Sequence, residues 1–343
     1  MIKLNVPLYI LFLLSVPLVN CRPDPPPIPT NPYAVWNLND PGLQRRSLNF
    51  PLGETWDQRA KELDAVRKST LLAINEIDGI SDIPSGAPDA NVFASKLSKI
   101  RQSFPDKVNE QFDQYVFAVY FVRNLGSSGL TGIIRYNKEP IGGIIFIDTE
   151  RLSKKANEWA TEKEKTVFSF APGQDLKVTL ETDENNTIEN SLAFILLHEF
   201  GHILATVDAV APDFSLMKRD FKTFPYFKDF WFTEVHSEYD TDIKDRTKFK
   251  FYSKEKIPFS PNGLELYSEL EDSPFVTLYS ANNADDSFAE AYASYVHVIL
   301  QNKPYEVHAI QDSESKLIFD NGINRSEGKS QREFLNKIFG RKE

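Results

Sequence analysis

The sequence predicts an α+β fold, helix-rich, with a small mixed sheet and two helices packed together. Three observations lead there. Several stretches carry apolar residues at helical spacing. Gly-punctuated apolar runs between 129 and 148 read as strands. The segments around 190–205 and 287–300 join strong helical character to His and acidic side chains.

At 343 residues the chain can bury a sizeable core, and 41% hydrophobic with 13% aromatic residues describes a globular protein. A net charge of −10 and a pI near 5.2 argue against nucleic acid as a partner, since no basic footprint faces the phosphates. Basic runs such as Lys248-Phe249-Lys250 have acids nearby in sequence and read as a solvated face.

The elements follow in order. Met1-Ile2-Lys3 and the apolar run 4–19, broken by Pro7 and Pro17, are too short and kinked for a stable span and suit a signal peptide over residues 1–20. Leu18-Val19-Asn20-Cys21 resembles the lipobox of bacterial lipoproteins, although Asn20 stands where a small residue is usual. The chain has 1 cysteine, so no disulfide forms within it. The resemblance implies a lipid on Cys21, anchoring an exported protein to the cell membrane or outer membrane. Ordinary secretory cleavage is the alternative. Prolines at 23, 25, 26, 27, 29 and 32 make residues 21–47 a semi-rigid tether.

Folded structure is expected over 48–343, as an N-terminal helical part, 48–125, and a second part, 126–343. Helices are predicted at 54–78, 91–104 and 106–122. Strands follow at 129–136 and 142–148, joined by Asn137-Lys138-Glu139-Pro140. The strand 142–148 has two readings: a sheet edge onto which an extended peptide adds, or a buried central strand. A helix at 153–168 and a strand at 176–181 come next. The long connection 208–274 contains an aromatic-dense run, 221–232, which reads as a satellite core or, more sharply, as a cleft wall. A helix at 287–300, strands at 307–310 and 316–319, and a closing helix at 330–339 complete the chain.

The chemistry centres on His198-Glu199-Phe200-Gly201-His202, the HExxH pattern. Positions i and i+4 share one helix face, so both imidazoles can reach one Zn²⁺, with Glu199 beside it as general base. Asn185, Asn186 or Thr187 could cap that helix. A zinc site needs a third protein ligand, and two are candidates. Asp208 would mimic zincins in which a glycine turns the chain back to the metal, but Ala205 stands at that place, so Asp208 reads as a helix-end carboxylate. Glu290 lies among Ala289, Ala291, Ala293 and Ser294, small residues that let its helix approach the first closely, and a glutamate there is costly unless paired or metal-bound. His297 shares that face and reads as a packed histidine or a supporting one.

The HExxH block, Val276-Thr277-Leu278-Tyr279-Ser280 and Asp286-Ser287-Phe288-Ala289-Glu290-Ala291-Tyr292 together resemble the catalytic domain of anthrax lethal factor and related gluzincin peptidases. The match spans roughly the last 160 residues, and two short blocks within it are specific. It implies a zincin-like metallopeptidase fold, one zinc ion, His198, His202 and Glu290 as ligands, Glu199 as general base and Tyr279 as oxyanion donor. The connection between the two ligand helices is longer here than in lethal factor. The expected activity is zinc-dependent endopeptidase action on a protein or peptide substrate, outside the cytoplasm. Exopeptidase action is also open. A lipoprotein using the same fold as a binding or adhesion module is the alternative, against which the intact Glu199 and Tyr279 count.

Overall fold

The computed structural model describes residues 54–213 and 220–341, so the signal, lipid and tether expectations lie outside the described residues. Residues 54–78 do not form one helix. A 3-10 turn, Asp57–Arg59, leads into β1 (Ala60–Lys61). Asp64 then caps α1 (Ala65–Ile77) by accepting from Arg67 N at 3.0 Å. After β2 (Ser85–Gly86) comes α2 (Ala90–Ser103), close to expectation.

The next departure matters more. Residues 106–122 divide between α3 (Asp106–Tyr115) and β3 (Val116–Arg123). Val116 to Val122 are all buried, so the run has no alternation to betray a strand. β4 (Gly129–Tyr136) follows as predicted, and β5 (Glu139–Asp148) starts three residues before the expected 142, taking Glu139 and Pro140 from the expected connection. The sheet order is β1-β3-β5-β4, with β2 on the end of β3; β3 runs parallel to β1 and β5, and β4 is antiparallel. β5 is therefore the buried central strand and β4 the edge. The expected division at residue 125 runs through this sheet, which takes strands from both sides of it.

Further along stand α4 (Ala156–Lys165), β6 (Phe168–Ser169), β7 (Gln174–Thr179) and α5 (Ile188–Val207). The long connection contains β8 (Ile257–Pro258), which pairs with β6, and α6 (Leu264–Glu271). The last elements are α7 (Ala284–Ser294), β9 (Glu306–Gln311), β10 (Glu314–Asp320) and α8 (Lys329–Ile338). A π-helical turn, Tyr295–Leu300, continues α7. β10, β9 and β7 form a second, antiparallel sheet. The result is α+β, as predicted.

The main sheet is apolar on both faces. One cluster gathers Leu71 and Ile74 of α1 with Phe117, Tyr120, Ile144 and Phe146. The other gathers Leu196, Phe200 and Ile203 of α5 with Val119, Phe121, Ile145 and Ile147. α5 is apolar enough to cross a membrane by composition, yet most of it is buried inside the protein. The aromatic run belongs to the core: Phe221, Tyr226, Phe227, Phe230 and Trp231 are buried, and Tyr226 packs edge-on to Phe288 of α7 at 5.1 Å.

Candidate metal centre

α5 starts at Thr187, whose hydroxyl accepts from Asn190 N at 3.2 Å. From there the helix carries His198 and His202 onto one face, opposite the first turn of α7. The two Nε2 atoms lie 3.3 Å apart. Asp286 Oδ1 completes a triangle with them, 3.4 Å from His198 Nε2 and 3.7 Å from His202 Nε2. Ligands about 2.0–2.1 Å from the centre of a tetrahedron stand about 3.3 Å from one another, so this donor set has the type and spacing that fit a zinc ion.

Asp286 is fixed by its position at the helix start. Asn283 caps α7 by accepting from Asp286 N at 2.8 Å, and its side-chain amide donates to Asp286 Oδ2 at 2.7 Å. Oδ1 is thereby left to face the histidines. Against the cost of burial, the hydrogen bond from His198 holds Asp286 below the usual carboxylate range.

Glu290, expected as the third ligand, stands elsewhere. Its Oε2 lies 2.8 Å from His198 Nδ1, the nitrogen turned away from the triangle. Its Oε1 accepts from Lys163 Nζ at 3.2 Å and from Thr277 Oγ1 at 3.1 Å. Glu290 therefore backs His198 from the side away from the triangle, and Asp286, one turn earlier on the same face, stands at its third corner. Asp285 supports His202 in the same manner, 3.0 Å from its Nδ1. A carboxylate behind each imidazole fixes the tautomer with Nε2 free to bind metal. Burial opposes charge on His198, yet its bonds to Asp286 and Glu290 raise it to about 10. The surroundings thus favour positive charge, which a divalent cation would supply in place of a proton. Lys163 and His198 likewise hold Glu290 down at about 2 despite its burial.

Glu199 is buried beside the histidines. Thr131 of β4 donates from its hydroxyl to Glu199 Oε2 at 2.8 Å. Burial raises its pKa, while His198 and His202 pull the other way. Tyr279 lies in the 3-10 turn Tyr279–Ala281 before α7, with its ring 5.4 Å from that of His198. Burial first, then Asp286, keeps its hydroxyl protonated as a donor. Glu199, both histidines, Asp286 and Tyr279 line one groove that runs along Leu130 and Thr131 of β4.

The remaining candidates fall outside it. Asp208 ends α5 and accepts from the Tyr115 hydroxyl at 3.3 Å. His297 is a packed histidine: its Nε2 donates to the Leu180 and Pro304 carbonyls at 2.8 and 3.0 Å, and burial lowers its pKa to about 3. Asp286, Asp285, Thr131 and Lys163 are not among the residues the sequence singles out. Only the first left a signal: Asp286 and Glu290 stand four apart on one helical face, so either could meet the metal. Compared with known proteins, the chain matches no family model, no curated protein and no solved structure.

Proposed function

We propose that this chain is a zinc-dependent endopeptidase with a zincin-like catalytic domain, using His198, His202 and Asp286 as ligands. One observation carries the reading: two Nε2 atoms and a carboxylate oxygen converge at tetrahedral spacing with a buried glutamate alongside. A zinc ion held there supplies Lewis acidity, polarising a carbonyl and lowering the pKa of water toward 7. Glu199 takes the proton of the attacking water and delivers it to the leaving amine. The Tyr279 hydroxyl donates to the carbonyl oxygen as charge develops on it. Among the described residues β4 pairs on one side only, with β5, so its outer edge is open to an extended peptide beside Glu199.

The two sequence blocks similar to anthrax lethal factor support the same reading, with Asp286 in place of Glu290 in the ligand set. The signal-like start and Cys21 favour an exported, lipid-anchored enzyme. The deciding experiment is Glu199→Gln, compared with wild type on a fluorogenic peptide library with zinc measured on both. Hydrolysis should disappear while zinc stays bound. A variant as active as wild type would remove the proposed mechanism, and an inactive wild type that binds zinc would favour the binding-module alternative.

A further inference from the structure

Lys163 of α4 stands behind the metal centre, 8% exposed. Its ammonium is 3.2 Å from Glu290 Oε1 and 4.0 Å above the centre of the Tyr279 ring, with the Trp159 ring 5.5 Å away. A buried ammonium is costly unless paired, and a plain structural ion pair would satisfy it with the carboxylate alone. Here the same charge touches two functional elements at once.

Its effect on Glu290 is directional. Lys163 and Thr277 both donate to Oε1, which leaves Oε2 for His198 Nδ1. The ammonium also faces the Tyr279 ring, an electrostatic attraction that resists tilting of the phenol. We propose that Lys163 is a positioning residue joining the two halves of the site: through Glu290 it orients the His198 imidazole, and through the ring face it orients Tyr279. The proposal rests on the peptidase reading above.

The test compares wild type, Lys163→Met, Lys163→Arg and Thr277→Val as full chains. Zinc affinity is read by chelator competition, kcat and KM on one cleaved peptide, and each background also receives Tyr279→Phe. Lys163→Met should weaken zinc binding about tenfold and lower kcat by about tenfold or more with KM nearly unchanged. Lys163→Arg should recover part of both. Tyr279→Phe should cost less in the Lys163→Met background than in wild type, because the phenol is already misplaced there. Thr277→Val removes an Oε1 donor and also the acceptor for Ser280 N in the turn that carries Tyr279, so zinc affinity and the Tyr279→Phe factor should both fall.

Wild-type zinc affinity in Lys163→Met, or an undiminished Tyr279→Phe factor there, overturns the proposal. If Lys163→Met does not fold, Lys163→Gln decides, since it removes the charge but keeps a polar side chain; wild-type zinc affinity and an undiminished Tyr279→Phe factor in it overturn the proposal alone. A wild type that binds no zinc and cuts no peptide instead ends the peptidase reading, and that is seen before any variant is compared.

Discussion

Gly201 of α5 lies against the backbone of Ala289 on α7: a Cβ added at Gly201 would fall 2.7 Å from Ala289 Cα and 3.1 Å from its carbonyl oxygen. This contact sets the separation of the two helices, and therefore whether Asp286 and Glu290 of α7 reach the histidines of α5.

Gly201→Ala tests that spacing. Alanine gains about 1 kcal/mol over glycine in a helix interior, but overpacking backbone against backbone costs about 1–3 kcal/mol. The second effect should win, because a neighbouring backbone cannot rotate away as a side chain can. Thermal denaturation should show a lower Tm, and chelator competition a weaker zinc site. A variant with higher Tm and unchanged zinc affinity would show that the helices part without consequence.

Asp286 and Glu290 should fail in opposite ways. Asp286→Ala removes one of the three proposed ligands and should abolish stoichiometric zinc binding. Glu290→Gln keeps all three proposed ligands but weakens the support of His198, so affinity should drop about 10–100-fold. Stability of the zinc-free protein should rank the other way. Glu290→Gln strands the buried Lys163 charge, at a cost of about 3 kcal/mol, whereas Asp286 faces a groove. Zinc titration and urea denaturation of both variants check the crossing; tight zinc binding by Asp286→Ala would return the third corner to another residue.

That ambiguity between two acids marks where the sequence stops being informative. HExxH defines its own geometry because the spacing is local to one helix, and Ala289, Ala291 and Ala293 announce that another helix comes close. Which carboxylate of α7 meets Nε2 depends on how far α7 slides along α5, a tertiary quantity fixed by contacts such as Gly201 on Ala289. β3 was hidden for a related reason: a strand buried on both faces has lost its alternation. Lys163 stands 127 residues from Glu290 in sequence, and nothing local joins them. Lys163 meets Glu290 only because the fold brings α4 beside α7.

Glu164, next to Lys163, should give the protein a pH-dependent stability. Its carboxyl is 1% exposed, and burial raises it from 4.5 to about 7, although Lys163 and the Tyr267 hydroxyl, 2.8 Å from Oε1, oppose the rise. The folded state therefore keeps a proton that the unfolded state gives up. The contribution is full below about pH 4.5 and is lost as pH rises to about 7, amounting to about 3 kcal/mol. Glu164→Gln keeps an acceptor for Tyr267 and cannot ionise. Urea denaturation at about pH 5 and about pH 8 should show the variant gaining on wild type at the higher value; a difference between the two proteins that does not change with pH would contradict the assignment.

Gly129 should matter to catalysis without mattering to folding. A Cβ there would meet Glu199 Oε1 at 2.5 Å, with Glu199 Cγ and Cδ at 2.8 and 2.9 Å. All three are atoms of a side chain, which can yield, so Gly129→Ala should leave stability within about 1 kcal/mol of wild type. It yields at the expense of its place: Glu199 must leave the Thr131 hydroxyl that holds Oε2 at 2.8 Å. A general base displaced by about 1 Å can cost on the order of a hundredfold in rate. His198, His202 and Asp286 lie outside the clash, so zinc content should be unchanged. The variant should then keep its metal and its Tm while kcat/KM on a cleaved peptide drops by about two orders of magnitude. Full activity would mean that Glu199 works from another rotamer than the one β4 now holds.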